Sequence, residues 1–369
     1  MIGSAQRGWL LAAVALAPAP PACAGRLFPG RAAQKELSRG LALFRNADFS
    51  GAVEHLDPAI ELHPGWKSAA GYRGFCKSLL ADAAGALEDA DMGASLKPNT
   101  AESYAARGFS RLIKKDLEGA GRDFSESALR DERYADAPYG TASVLIAQGD
   151  EKAAIDSLRR ALELNPKFAA AMLLRAGLLE RLKLFSDAIK DYSRVLELNP
   201  TLLHAAYYRG KDYREIKRYK LAAEDFTSFL AANPNFEEGY YLRGNVRFLA
   251  GDDEGAVKDL GKVIELNPKR GLAYCNRGQA KAKLGDREGA LKDLRRAIVL
   301  EPAKRDKIQA VIDAVENAEA SEPQPKAPSS SARSRAPGLE IEMEKVEDAS
   351  ESRRAPEPPV APGEAVFIQ

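Results

Sequence analysis

Residues 203–236 read Leu-His-Ala-Ala-Tyr-Tyr-Arg-Gly-Lys-Asp-Tyr-Arg-Glu-Ile-Lys-Arg-Tyr-Lys-Leu-Ala-Ala-Glu-Asp-Phe-Thr-Ser-Phe-Leu-Ala-Ala-Asn-Pro-Asn-Phe. The stretch has the form helix, turn, helix, stop, because Asn233-Pro234 ends the second apolar run and proline cannot continue a helix. The same stop recurs along the chain. Pro64, Pro98, Pro166, Pro200, Pro234, Pro268 and Pro302 are separated by 34 residues or twice that. A unit of this length is one helical hairpin that cannot bury its own apolar face, so copies stack and each covers the last. The expected product is an all-α solenoid that offers a binding surface.

Outward from the quoted unit, the repeats run 33–66, 67–100, 101–134, 135–168, 169–202, 203–236, 237–270 and 271–304. Position eight is small in each: Gly40, Gly74, Gly108, Ala142, Ala176, Gly210, Gly244 and Gly278. Position twenty is Ala without exception, from Ala52 to Ala290. Small residues at these places let paired helices approach closely. The pattern resembles the tetratricopeptide repeat (TPR) family. Tyr207-Tyr208-Arg209-Gly210 and Tyr274-Cys275-Asn276-Arg277-Gly278, each followed by Ala-x-x-Asp and a closing proline, look like its Arg-Gly subtype. The fourth position, often large in the family, is irregular: Glu36, Ala70, Tyr104, Pro138, Met172, Ala206, Tyr240 and Tyr274. The resemblance implies a right-handed α-solenoid of about eight repeats.

Two columns vary together. Position seven reads Arg39, Arg73, Arg107, Thr141, Arg175, Arg209, Arg243, Arg277, and position twenty-three reads His55, Asp89, Asp123, Ser157, Asp191, Asp225, Asp259, Asp293. The unit without Arg also lacks the acid, which predicts an ion pair within each repeat. Pairing to the next repeat would strand Asp123 against Thr141. Arg73–Asp89, Arg107–Asp123, Arg175–Asp191, Arg209–Asp225, Arg243–Asp259 and Arg277–Asp293 are therefore expected to be structural pairs, not a ladder of free cations for an anion.

Before the repeats, Arg7, an apolar run from Trp9 to Ala17, and Ala22-Cys23-Ala24 look like a secretory signal peptide cut after residue 24. Residues 25–32 then form a linker. An alternative is lipid attachment at Cys23, although Pro20-Pro21-Ala22 departs from the pattern lipidation enzymes read. The apolar run is too short to span a bilayer, and no other stretch is a transmembrane candidate. Removing residues 1–24 takes one of 54 basic groups and none of 53 acidic ones, leaving no net charge. That balance argues against a nucleic-acid partner.

Cys76 and Cys275 lie in distant repeats and are expected to be free. His55, His63 and His204 form no metal-ligand spacing, so no metal or cofactor is expected. There is no phosphate loop, nucleophile elbow or second domain, and the chain reads as non-catalytic.

In the TPR family the first helix of each repeat lines the concave face through positions two, five, nine, twelve and thirteen. Carried onto this chain, that rule puts Leu37, Leu41, Phe44, Phe75, Phe109, Leu112, Ile113, Tyr139 and Ile146 in an apolar groove over repeats one to four. It puts His204, Tyr207, Lys211, Arg214, Tyr241, Asn245, Phe248, Gln279 and Lys283 in a polar groove over repeats six to eight. The Asn245 and Asn276 positions invite comparison with TPRs that clamp a C-terminal carboxylate, but Tyr241 replaces the required Lys and that function is not expected. The implied partner is a protein or extended peptide, and the implied role an adaptor in the periplasm or outside the cell. The alternative is a structural lipoprotein-like component of an envelope or secretion complex.

Glu132 replaces a repeat-ending proline, and Pro138 follows, so a weak, kinked joint is expected at residues 130–140. Residues 305–319 carry Ile308, Val311, Ile312 and Val315 at helical spacing and read as a capping helix. Residues 320–369, rich in Pro, Ser and Glu, read as a disordered tail. Within it, Leu339, Ile341, Met343 and Val346 suggest a short motif able to visit the groove.

Overall fold

The structure, a computed structural model, describes residues 30–317. These are helical throughout, with no strand among the described residues. Repeats one to four supply α1 (Arg31–Arg45) and α2 (Phe49–Leu62), α3 (Lys67–Leu79) and α4 (Ala83–Ala94), α5 (Ala101–Ile113) and α6 (Leu117–Arg130), α7 (Asp136–Gln148) and α8 (Glu151–Leu164). Repeats five and six supply α9 (Ala169–Arg181) and α10 (Phe185–Leu198), α11 (Leu203–Glu215) and α12 (Tyr219–Ala232). Repeats seven and eight supply α13 (Glu237–Leu249) and α14 (Asp253–Leu266), α15 (Gly271–Lys283) and α16 (Arg287–Leu300). A 3-10 turn at Pro302–Lys304 leads into α17 (Arg305–Asn317). The expected signal peptide, most of the linker and the tail lie outside the described residues. No described helix is long and apolar enough to cross a membrane.

Each repeat turns on one left-handed residue, followed in six of the eight by an aspartate cap. At position fifteen, Ala47, Ala81, Lys115, Lys183 and Lys217 have φ of 60–62°, while Gly149, Gly251 and Gly285 have φ of 83–84°. One residue later, Asp48, Asp82, Asp116, Asp150, Asp252 and Asp286 cap the second helix; Asp48, for instance, accepts from the Gly51 amide at 2.9 Å. An aspartate here satisfies an orphan N–H and places negative charge at the positive end of the helix dipole.

The paired helices lock through the small columns. A Cβ on Gly40 would stand 2.7 Å from Leu56 Cγ, and one on Gly108 would stand 2.8 Å from Phe124 Cε1. The position-twenty alanines are no more than 1 % exposed. At the far end, Ile308, Val311, Ile312 and Val315 of α17 are buried on α16, covering apolar surface that a ninth repeat would otherwise cover.

The winding is uneven. In the first half α1 lies not only on α2 and α3 but also against α9, four repeats on. Phe44 is the hub, with ring centroids of Tyr72, Phe75, Phe109, Tyr139 and Phe168 at 5.7, 6.1, 5.9, 5.6 and 5.9 Å. The concave faces of repeats one to four are thus folded onto each other. One continuous core runs from Leu37 to Val246, whereas the last repeats hold smaller separate clusters.

The expected weak joint at residues 130–140 is instead where this closure is anchored. Asp136, Ala137 and Tyr139 are all 0 % exposed. Pro138 falls in the first turn of α7, where its missing N–H would have had no helical partner anyway.

Candidate functional site

The six Arg and Asp pairs lie within their repeats. Each guanidinium grips its carboxylate with two nitrogens, as in Arg107 Nε to Asp123 Oδ2 at 2.9 Å and Nη2 to Oδ1 at 2.6 Å. Arg73–Asp89, Arg175–Asp191, Arg209–Asp225, Arg243–Asp259 and Arg277–Asp293 repeat the geometry. The first repeat substitutes Glu36, which takes Arg39 at 3.2 Å and His55 at 2.6 Å.

Two further columns take part. From position eleven, Lys77, Arg111, Arg247 and Lys281 give Asp89, Asp123, Asp259 and Asp293 a second cation at 2.8–2.9 Å. Asp191 and Asp225 have one cation each. Burial pushes the carboxyls of Asp191 and Asp225 up, whereas at Asp293 the hydrogen bonds from Arg277 and Lys281 overcome burial and hold it below the usual range. From position twenty-five of the preceding repeat, Asp57, Ser193 and Thr227 accept from the Nη1 of Arg73, Arg209 and Arg243 at 2.8, 3.0 and 3.1 Å. One arginine therefore ties its own hairpin and also staples two repeats. With these cations paired, the ladder offers no row of free guanidiniums.

The expected apolar groove does not exist as open surface. Phe44, Phe75, Phe109 and Tyr139 are 0, 1, 0 and 0 % exposed, with Leu37, Leu41, Leu112 and Ile146 also buried and Ile113 half-buried. Tyr139 stacks on Phe168 with centroids 5.0 Å apart. The reason is closure: apolar positions that would line an open concave face meet across a tightly wound one.

A buried polar network locks that closure. Arg45, at the end of α1, donates from Nε and Nη2 to Asp136 Oδ1 and Oδ2 at 2.7 and 2.8 Å, across 91 residues of sequence. The Tyr72 hydroxyl donates to Asp136 Oδ2 at 2.8 Å and lies 2.8 Å from the Tyr134 hydroxyl. Burial and the adjacent Asp136 carboxylate raise both phenols well above their ordinary range. No pairwise column could reveal Arg45, because its partner exists once. The available signal was the departure of the fourth repeat from the pattern.

The concave side of repeats five to eight retains polar side chains in register. Asn276 Nδ2 donates to Asn245 Oδ1 at 2.9 Å and lies 3.3 Å from the Tyr241 hydroxyl, fixing the ninth position of one repeat to the sixth of the next. Arg270 covers the Tyr241 ring at 3.7 Å and reaches Glu237 and Glu238 at 2.7 and 2.6 Å. Lys283 stands 3.8 Å over the Phe248 ring, which is itself buried. Gln279 is 4 % exposed, its Nε2 on Cys275 Sγ at 3.5 Å and its Oε1 without a hydrogen-bond partner among the described residues. Lys211 pairs with Glu180 at 3.2 Å, and Arg214 with Glu215 at 2.5 Å.

Beside the buried Phe248 and Gln279, two more polar-groove expectations change. Tyr207 is 6 % exposed and packs among Phe226, Phe229 and Phe236. His204 lies on Phe229 at 5.7 Å, where burial lowers its pKa. Both serve the packing of repeat six. The polar side chains paired with one another on this side are Glu180 with Lys211, Arg214 with Glu215, and Asn276 with Asn245 and Tyr241.

No group of three His, Cys, Asp or Glu among the described residues could hold a metal. Cys76 and Cys275 are buried free thiols, pushed up in pKa by burial.

Models described as tetratricopeptide repeat or TPR repeat match residues 139–202, 244–285 and 272–304. No curated protein matches the chain. Among solved structures, the Cut9–Hcn1 hetero-tetramer of the APC/C aligns over 76 % of this chain and 55 % of its own, at 13 % identity and a TM-score of 0.51. YrrB, described as a TPR protein with an unusual peptide-binding site, aligns over 48 % of this chain and 92 % of its own, at 22 % identity and 0.46. MamA from Desulfovibrio magneticus RS-1 aligns over 46 % and 96 %, at 21 % identity and 0.42.

Proposed function

We propose that this chain, whose residues 139–202 and 244–304 match tetratricopeptide repeat models, is a non-catalytic scaffold that holds an extended peptide or protein segment in the groove of repeats five to eight, in the periplasm or outside the cell. One observation carries the reading. The concave face is filled by aromatic core in the first half and keeps aligned amide groups, Asn245 on Asn276, in the second. A side-chain amide pair suits the peptide backbone, which offers both a donor and an acceptor.

The test is selection of peptides from a random library on the full chain. Selected peptides should lose on the order of tenfold in affinity in the Asn245→Ala/Asn276→Ala variant, as expected when bonds of about 1 kcal/mol each are removed. They should keep full affinity in Ile113→Ala. Loss in the second variant, or in neither, overturns the assignment of the site. The exported location rests on residues 1–24, and intact mass of the native protein tests it. A chain starting at Gly25 supports export, a lipidated Cys23 replaces the free scaffold with a tethered one, and an uncut Met1 removes the location.

A further inference from the structure

At the joint of the fifth and sixth repeats the groove holds a carboxylate unlike those of the paired column. Asp212 on α11 is 0 % exposed, and neither of its carboxylate oxygens has a hydrogen-bond partner among the described residues. The charged groups facing it are Glu180 from α9 and Lys211 and Glu215 from its own helix. Tyr192 of α10 borders the same spot and directs its hydroxyl to Glu180 at 3.4 Å. Lys211 closes the arrangement, its ammonium 3.2 Å from Glu180 and 5.0 Å over the Tyr208 ring, with its side chain 32 % exposed.

Register sets this joint apart from the later one. Asn245 at the ninth position of repeat seven reaches across to Asn276 at the sixth of repeat eight. In repeat five the ninth position is Gly177, and nothing stands within 4 Å of where its Cβ would be. The sixth-position Tyr208 of the next repeat is 8 % exposed and stacks on Tyr192 with centroids 6.2 Å apart, so the side chain here that reaches solvent is Lys211.

A buried carboxylate with no partner is costly, and native structures seldom keep one that does nothing. We propose that Glu180 and Asp212, walled by Tyr192 and Tyr208, form a cation pocket that takes an arginine side chain of the bound segment, and that Lys211 is the internal stand-in this arginine displaces. A guanidinium suits the site better than an ammonium, because it spans two carboxylates and stacks on an aromatic ring. Empty, Asp212 keeps its proton, since burial pushes its carboxyl up to about 8. On binding, that proton passes to solvent, the guanidinium faces both carboxylates, and the Lys211 ammonium returns to water. The pocket rests on the groove of repeats five to eight being the binding site.

The test uses the full chain and a fluorescein-labelled peptide of repeated Gly-Arg-Ser, against the same peptide with citrulline, the neutral isostere, at each arginine. By anisotropy at physiological salt the arginine peptide binds on the order of tenfold more tightly. Asp212→Asn and Glu180→Gln each remove that preference, while Glu197→Gln, an exposed acid on α10 outside the groove, leaves it. Lys211→Ala tightens the arginine peptide several-fold, and Lys190→Ala, which removes the same charge from the exposed face of α10, does not. Equal affinity for the two peptides, or weaker binding in Lys211→Ala, overturns the pocket. If equal affinities still fall in Asn245→Ala/Asn276→Ala, the pocket fails and the groove stands. If neither peptide binds, the pocket fails and the library selection decides the groove separately.

Discussion

Of the eight residues that turn the chain inside the repeats, only Gly149, Gly251 and Gly285 adopt positive φ without a side chain in the way. An L-residue in this region carries a cost of about 1–2 kcal/mol, so Ala81→Gly, at an exposed turn, should gain about 0.5–1 kcal/mol in a urea melt after glycine's extra entropy in the unfolded chain is subtracted. Position fifteen escaped sequence reading because Ala, Lys and Gly share it, and only the backbone angle unites them. Asp212 was equally hidden, since one aspartate among many on helices carries no mark of burial. Its folded pKa, about 8, exceeds its unfolded value of 3.8, so the folded state holds a proton the unfolded state has lost and stability falls as pH rises between them. Asp212→Asn should therefore raise stability by about 1–3 kcal/mol near pH 8 and by progressively less toward pH 4, measured by thermal melts across that range.

Between helices, the Arg and Asp pairs were legible because two columns lose their charges together. The second cation at position eleven and the staple at position twenty-five were not, because each accepts several chemistries: Lys or Arg in one, Asp, Ser or Thr in the other. The column also exposes a gap. Arg277 Nη1 faces Gly261, where an added Cβ would lie 3.7 Å away in ordinary contact. Gly261→Ser would supply the hydroxyl that Ser193 and Thr227 provide elsewhere and replace a mid-helix glycine. A gain of about 1 kcal/mol is expected in equilibrium unfolding. The converse is Asp123→Ala, which strands both Arg107 and Arg111. Because both arginines still reach solvent, the loss should be about 2–3 kcal/mol, less than for fully buried partners.

Across the whole molecule, the seven spaced prolines made the repeat count and the all-helical fold readable, but not the winding. The Phe and Tyr residues of repeats one to four, expected to line an open groove, instead meet as core. That outcome depends on contacts between α1 and α9, which no local pattern encodes. Arg45→Met should cost about 3 kcal/mol, because Asp136 would remain at 0 % exposure with its principal partner gone. Hydrogen exchange should show the third and fourth repeats at least as protected as the seventh in the native chain, and losing that protection together in the variant. The contact of α1 with α9 also sets the arithmetic by which such a chain can grow. A solenoid that only stacks can gain or lose a unit anywhere, like a ladder. Here the first helix must meet the ninth, so the opening repeats count like segments of a clasp. Duplicating one among the first four breaks the clasp, while duplicating the seventh merely lengthens the stack.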